Sequence, residues 1–248
     1  MKHFNTLYYS FKEGSPLIGR EKELIVPSIM EESTPSSSCW FKQLPLLAGS
    51  KYSDILEFFS GAHSDKLKGK GGPAFMYSAK VCPAVQNMLS TSILVKAPAD
   101  IMLTIDTNGG YVWDTSEGSL ISITEHPREQ VAGVGANDLF EGKLALKFNI
   151  DIYMVAKDSF SLMLLQPQFH NKVPFTVING LIPPEFLASS TELNVIGLFD
   201  IPKENPVTHY IKQGQVLAYM WAENKVKLEK SKHTIHHPIR RSYLRGFK

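Results

Sequence analysis

The sequence predicts a mainly β protein: an antiparallel β-sandwich or a jelly-roll or β-clip-like barrel, with a small mixed α/β cap at its N-terminal end. Three observations carry that prediction. Between residues 143 and 221, short apolar runs are cut at regular intervals by Asp-Ser, His-Asn-Lys, Pro-Pro, Pro-Lys-Glu-Asn-Pro and Lys-Gln-Gly. Runs bounded in this way are the pattern of short antiparallel strands. Helical spacing of apolar residues is almost absent after Leu89. The intervals are also too short for the crossovers of about a dozen residues that a parallel sheet requires.

Taken in order, residues 1–38 read as a lead-in. FNTLYY (4–9) is a candidate strand, and LIVPSIM (24–30) holds Pro27, which restricts it to an edge or an extended segment. Residues 31–38 are polar and turn-rich. Residues 40–47 (WFKQLPLL) carry enough apolar bulk to anchor this arm. The spacing of Ile55, Phe58 and Phe59 predicts a helix over 52–59, with Ser53 as N-cap and Gly61 as terminator. A basic, glycine-rich loop follows at 63–74. CPAVQNML (82–89) reads as a short helix with Pro83 at its first position.

From Ser92 onward the texture becomes β. ILVKAP, DIMLTID, YVWD and SLISIT are four short runs, and Asn108-Gly109-Gly110 is a hairpin signal between two of them. Phe148, Ile150, Ile152 and Met154 alternate with polar or small residues, as in a strand with one buried face. FSLMLL (160–165) is uniformly apolar and is expected to be covered on both sides. Residues 175–178, 193–199, 207–211 and 215–221 complete about ten strands. The implied organisation is a lead-in and cap over 1–90, a β body over 91–224, and a basic tail over 225–248.

The chain has 248 residues, 43% hydrophobic and 20% charged, enough to bury a core without covalent staples. Cys39 and Cys82 have neither metal-ligand nor redox spacing, which predicts reduced thiols. No signal-peptide core and no run of ~18–20 apolar residues occurs, so a soluble protein without a membrane partner is expected. From residue 225 to 248, eight Lys or Arg stand against one Glu, although the whole chain carries only a formal +2. Arg240, Arg241 and Arg245 are the candidate contacts of such a tail with nucleic acid or an acidic partner; the alternative is a solvated tail.

Candidate chemistry is sparse. His63-Ser64-Asp65 matches the start of a two-His-one-carboxylate iron site, with His126, His170 or His209 as the distal ligand. The motif falls in a predicted loop, whereas that chemistry places it on a strand. KLKGKGG (66–72) has phosphate-cradling composition but lacks the Gly-Lys-Ser/Thr and preceding strand of a P-loop. His126, Gln130 and His170 lie at ends of predicted strands, where a barrel rim gathers ligand-binding groups. Trp113 and Trp221 either wall such a pocket or belong to the core. HTIHH (233–237) has no partnering Cys or acid, and no nucleophile elbow occurs. No metal, cofactor or catalytic residue is assigned.

Residues 80–222 resemble a family of uncharacterised proteins of tailed phages. The likeness runs through KVCPAVQNML, ILVKAPADIMLTID, Trp113, ISITEH, QPQFH, PFTVINGLI and IKQGQVLAYMW. It implies a phage origin, a β-rich body, and residence in the host cytoplasm or the virion.

A second pattern runs FNIDIYMV, an Asp-Ser turn, FSLMLLQP, a Gly-Leu-Ile turn, LNVIGLFD and IKQGQVLAYM. Its order is similar to the second half of the dUTPase and dCTP-deaminase barrels, with residues 214–218 matching their last element. The working residues differ. Residues 165–170 lack the arginine and Ser-Gly of the phosphate-binding turn. No carboxylate stands near Ile182 and Pro183, and Phe186 replaces the base-contacting tyrosine. This likeness implies the barrel without pyrophosphohydrolase chemistry.

The leading functional expectation is a non-enzymatic phage protein, a binding module or a virion or assembly component. It would engage a protein partner or a second copy of itself. A metal-dependent oxygenase on a cupin-like barrel and a degenerate dUTPase-like nucleotide-binding protein are the alternatives.

Overall fold

The computed structural model describes residues 5–12, 15, 25–27, 47–48, 76–77, 83–116, 120–127, 140–167, 172–232 and 235. These are mostly strand, with two short helices among them. Residues 1–27 and 91–248 form one compact unit, and residues 28–90 form another. The smaller unit contains β3 (Leu47–Ala48) paired antiparallel with β4 (Met76–Tyr77) and nearly all of α1 (Pro83–Thr91). Pro83 opens α1 as the sequence predicts, because its missing N–H and fixed φ suit a first helical turn. The helix expected at 52–59 and the loop at 63–74 lie outside the described residues.

The larger unit is built on β9 (Lys143–Ala156). Leu144, Leu146, Phe148, Ile150, Ile152 and Met154 are all buried, the period-two pattern of a strand with one face on the core. Along one edge β9 pairs with β13 (Thr191–Asp200) over nearly its whole length. Along the other it pairs first with β8 (Ile121–Glu125) through residues 146–150, then with β1 (Asn5–Phe11) through residues 152–156. Opposite this change of partner the β13 register slips, from Glu192 against Tyr153 to Leu193 against Ile150. Two residues of β9 are therefore extra. Two is one full pleat, so the same side chains stay inward on both sides of the slip.

β11 (Thr176–Val177) and β16 (Val226–Lys230) complete this sheet in the order β11–β13–β9–β1–β16. A second sheet runs β12 (Gly180–Ile182), β10 (Leu162–Leu165), β15 (Val216–Trp221), β5 (Ser92–Lys96), β2 (Ile25–Pro27). Pro27 stands on its edge strand, as its missing donor requires. A third sheet runs β14 (Val207–Ile211), β6 (Ile101–Ile105), β7 (Tyr111–Thr115). The sheets are rich in antiparallel pairs and curl into a half-barrel. Between β12 and β13 lies the single-turn helix α2 (Pro184–Ala188).

The main core of the described residues lies within this unit. It takes Ile93 and Val95 from β5, Ile101, Leu103 and Ile105 from β6, and Ile121 and Ile123 from β8, with the inward residues of β9 and β13. Each such side chain, fully buried, contributes about 1.5–3 kcal/mol. At its centre the Phe148 and Phe175 rings stack at 5.1 Å, and Phe199 lies 5.2 Å from Phe175. Gly197 makes room for this stack: a Cβ there would stand 2.6 Å from the Phe175 ring.

The mainly β class is borne out, and all ten runs read as strands between residues 92 and 221 are strands. Three details differ. Residues 180–182, read as a Gly-Leu-Ile turn, form β12 and pair with β10. The run at 160–165 is not covered on both sides: Phe160 and Leu162 are buried, while Met163, Leu164 and Leu165 are half-buried. The basic segment 225–248 does not begin as a free tail. Val226 to Lys230 pair in parallel with β1, Ser231 donates its N–H to Tyr9 O at 2.8 Å, and Ile235 is buried.

Candidate binding surfaces

The three-stranded sheet carries the first surface. Its hairpin is fixed at Asp106, whose Oδ1 accepts the N–H groups of Asn108 and Gly110 at 2.7 and 2.8 Å. Gly109 takes φ +82°, and a Cβ at Gly110 would overlap the Asp106 carboxylate, so the Asn-Gly-Gly signal has a direct cause. Alternation along β6 sends Ile101, Leu103 and Ile105 into the core and leaves Met102 and Thr104 outside. Register then assembles two outer rows across the sheet. One is Tyr210–Met102–Asp114 and the other is Thr208–Thr104–Val112. The two threonine hydroxyls bond to each other at 2.9 Å.

Val112 and Tyr210 are each 70% exposed. Five of the six large apolar side chains exposed among the described residues belong to this sheet: Met102, Val112, Trp113, Val207 and Tyr210. Met102, Val112 and Tyr210 share the outer face, whereas Trp113 and Val207 stand opposite the inward-facing Leu103 and Ile105. A shallow depression of about 420 Å³ lies beside Met102 and Tyr210. Its corner is rigid: Asp100 Oδ1 accepts the Gln213 N–H at 2.7 Å, and Asp100 O accepts the Ser116 N–H at 3.1 Å.

The sixth exposed apolar residue, Leu181, belongs to a second surface. Across β12, β10 and β15, register sets Leu181 beside Met163 and Met163 beside Trp221. The three line a cleft of about 540 Å³, with polar groups of Asn5, Ser159, Ser161, Glu223 and Asn224 around them.

The histidines have distinct settings. His126 follows β8 and donates its backbone N–H to Ala145 O at 2.9 Å. Partial burial lowers its pKa, and the nearby Lys147 charge lowers it further. His209 lies on the inner side of β14, with its ring 5.5 Å from that of Phe199. Burial lowers its pKa as well, against a smaller opposing pull from Asp200. Neither belongs to a metal-holding cluster: among the described residues no three His, Cys, Asp or Glu are grouped for one.

Of the residues singled out in the sequence, His126 and Trp113 stand on different sheets. Trp113 lies opposite Leu103 on the edge strand β7 and is 36% exposed. Trp221 lines the cleft. Gln130, His170, His63, Asp65, Arg240, Arg241 and Arg245 lie outside the described residues. Sequence reasoning missed Met102, Tyr210, Met163 and Leu181. Met102 and Tyr210 face outward from their strands, Met163 and Leu181 lie in short strands without alternation, and only register shows that they form rows.

A membrane-crossing role for a helix has no candidate, since no described helix is long and apolar enough to span a bilayer. Comparison of the chain with protein-family models, with curated proteins and with solved structures finds no match.

Proposed function

We propose that this chain is a non-enzymatic binding module, an assembly or virion component of a tailed phage, that self-associates through the outer face of the β14–β6–β7 sheet. The carrying observation is that three of the six large apolar side chains exposed among the described residues, Met102, Val112 and Tyr210, share that outer face. A lone folded chain gains nothing by presenting Met102, Val112 and Tyr210 together, while a second copy would bury them. The phage origin and the location in host cytoplasm or virion rest on the resemblance of residues 80–222.

Sedimentation velocity over a wide concentration series tests the reading. The wild type is expected to associate, and Tyr210→Asp, a change at an exposed position, is expected to remain monomeric. A wild type that stays monomeric throughout, or a variant that associates equally well, would overturn it.

A second contact, with nucleic acid, is favoured by the excess of basic residues from 225 to 248. Arg240, Arg241 and Arg245 would carry it, since Lys227 is already paired with Glu229 at 2.6 Å. Binding to a DNA duplex should then weaken steeply with salt, and substituting those arginines should flatten the slope.

A further inference from the structure

We propose that the cleft floored by Leu181, Met163 and Trp221 binds a neutral saccharide. The volume, about 540 Å³, falls within the range of small-molecule sites. Three neighbouring strands supply the floor. At about 4.8 Å between strands it spans ~10 Å, enough for one or two sugar rings. Leu181 is 60% exposed, so the floor stands open to an incoming ligand.

The rim decides the chemistry. Asn5 and Asn224 offer amides that both donate and accept, Ser159 and Ser161 offer hydroxyls that do the same, and Glu223 accepts. Among the described residues, no Lys, Arg or His lines the cleft. A phosphate or carboxylate ligand would therefore lose its hydration without finding a counter-charge. A purely apolar ligand would strip water from the rim groups without replacing their hydrogen bonds. A small cation would find one exposed carboxylate, worth little in water. A sugar ring satisfies both halves at once, with its C–H face on the Trp221, Met163 and Leu181 side chains and its hydroxyls turned to the rim.

The rim is also held in place before any ligand arrives. Asn5 donates its backbone N–H to Lys225 O at 3.1 Å, and Thr6 donates to Asp158 Oδ2 at 3.0 Å. Lys157 donates to Thr6 O at 3.0 Å, which ties the start of β1 to the loop bearing Ser159. A rim so fixed loses little freedom on binding.

Saturation-transfer NMR on the full chain tests the proposal. The probes are the methyl glycosides of glucose, galactose, mannose and N-acetylglucosamine, with maltotriose, AMP and tetramethylammonium beside them. At least one saccharide should receive saturation at its ring C–H protons. Leu181→Asp should abolish the transfer, and Asn224→Ala should weaken affinity about tenfold, the loss of one well-made hydrogen bond. Both changes are at surface positions, and an unchanged thermal midpoint would confirm that the fold persists. Silence from every saccharide would overturn the proposal, as would a signal indifferent to Leu181→Asp. Transfer to AMP or tetramethylammonium that Leu181→Asp removes would show the wrong ligand class.

Discussion

Ile235 donates its backbone N–H to the Ser10 hydroxyl at 3.0 Å, in a buried bond between residues 225 positions apart. Both residues are largely shielded from water. The first part of the basic C-terminal segment is thus fastened along β1, beside the β16 pairing, and belongs to the sheet.

Truncation after Asn224 should therefore damage the fold as well as any binding. Removing Val226 and Ile235 gives up two largely buried apolar side chains, a loss of roughly 3–5 kcal/mol, and leaves an edge of β1 unpaired. Truncation after Ile235 keeps β16 and the buried Ile235. Urea unfolding of the two truncations should give clearly different midpoints, the longer form having the higher one.

Gly197→Ala should destabilise by about 1–3 kcal/mol, because the added methyl must displace the Phe175 ring inside a packed aromatic cluster. In a Phe175→Leu background the same change should cost less, since the obstructing ring is gone. A double-mutant cycle by urea denaturation reads this coupling, and strict additivity would contradict the packing account.

His209 gives stability a pH dependence of definite sign. Its folded-state pKa lies below the ordinary 6.5, chiefly through burial. The unfolded chain therefore takes up the proton first as pH falls. This contribution is present above about 6.5 and is lost progressively as pH falls toward the lower folded value. His126 acts in the same direction, again through burial first. Calorimetry between neutral and mildly acidic pH should show a falling midpoint for the wild type and a shallower fall for His209→Gln.

Lys12 stands where β9 changes partner. Its ammonium lies 3.3 Å from Glu192 and 3.4 Å from Asp151, and its backbone N–H bonds to Asp151 O at 3.2 Å. Burial opposes its charge, yet the two carboxylates together outweigh that and raise its pKa. Lys12→Met should cost up to about 1 kcal/mol, as expected for partly exposed pairs. The difference from wild type should shrink in about 1 M salt, where such attractions are screened. A difference insensitive to salt would contradict this electrostatic account, in which the same ammonium also lies 5.4 Å from the centre of the Tyr153 ring.

The strands were legible wherever alternation or an apolar run lasted at least four residues between turn signals, as in 101–105 and 148–154. β12 was not, because three residues beginning with Gly180 read as a turn by local chemistry alone. β16 had a signal in the alternation of Val226 and Leu228 with charged residues, but the surrounding lysines and arginines read as a solvated tail. The binding surfaces were the least legible part. Leu181, Met163 and Trp221 come from strands far apart in sequence, and Tyr210 meets Met102 across more than a hundred residues. Alternation says which way each side chain faces but not which strand lies beside it.

The parallel pairing of β1 with β16 also sets how the molecule would respond to tension. The five facing pairs run from Asn5 opposite Val226 to Tyr9 opposite Lys230. A force drawing the start of β1 away from the end of β16 acts along both strands in opposite senses. The ladder would be loaded in shear, with its hydrogen bonds resisting together. An antiparallel pair pulled from its two adjacent ends would instead unzip one bond at a time. Load entering by β1 and leaving by β16 would meet the sheet in its strong direction.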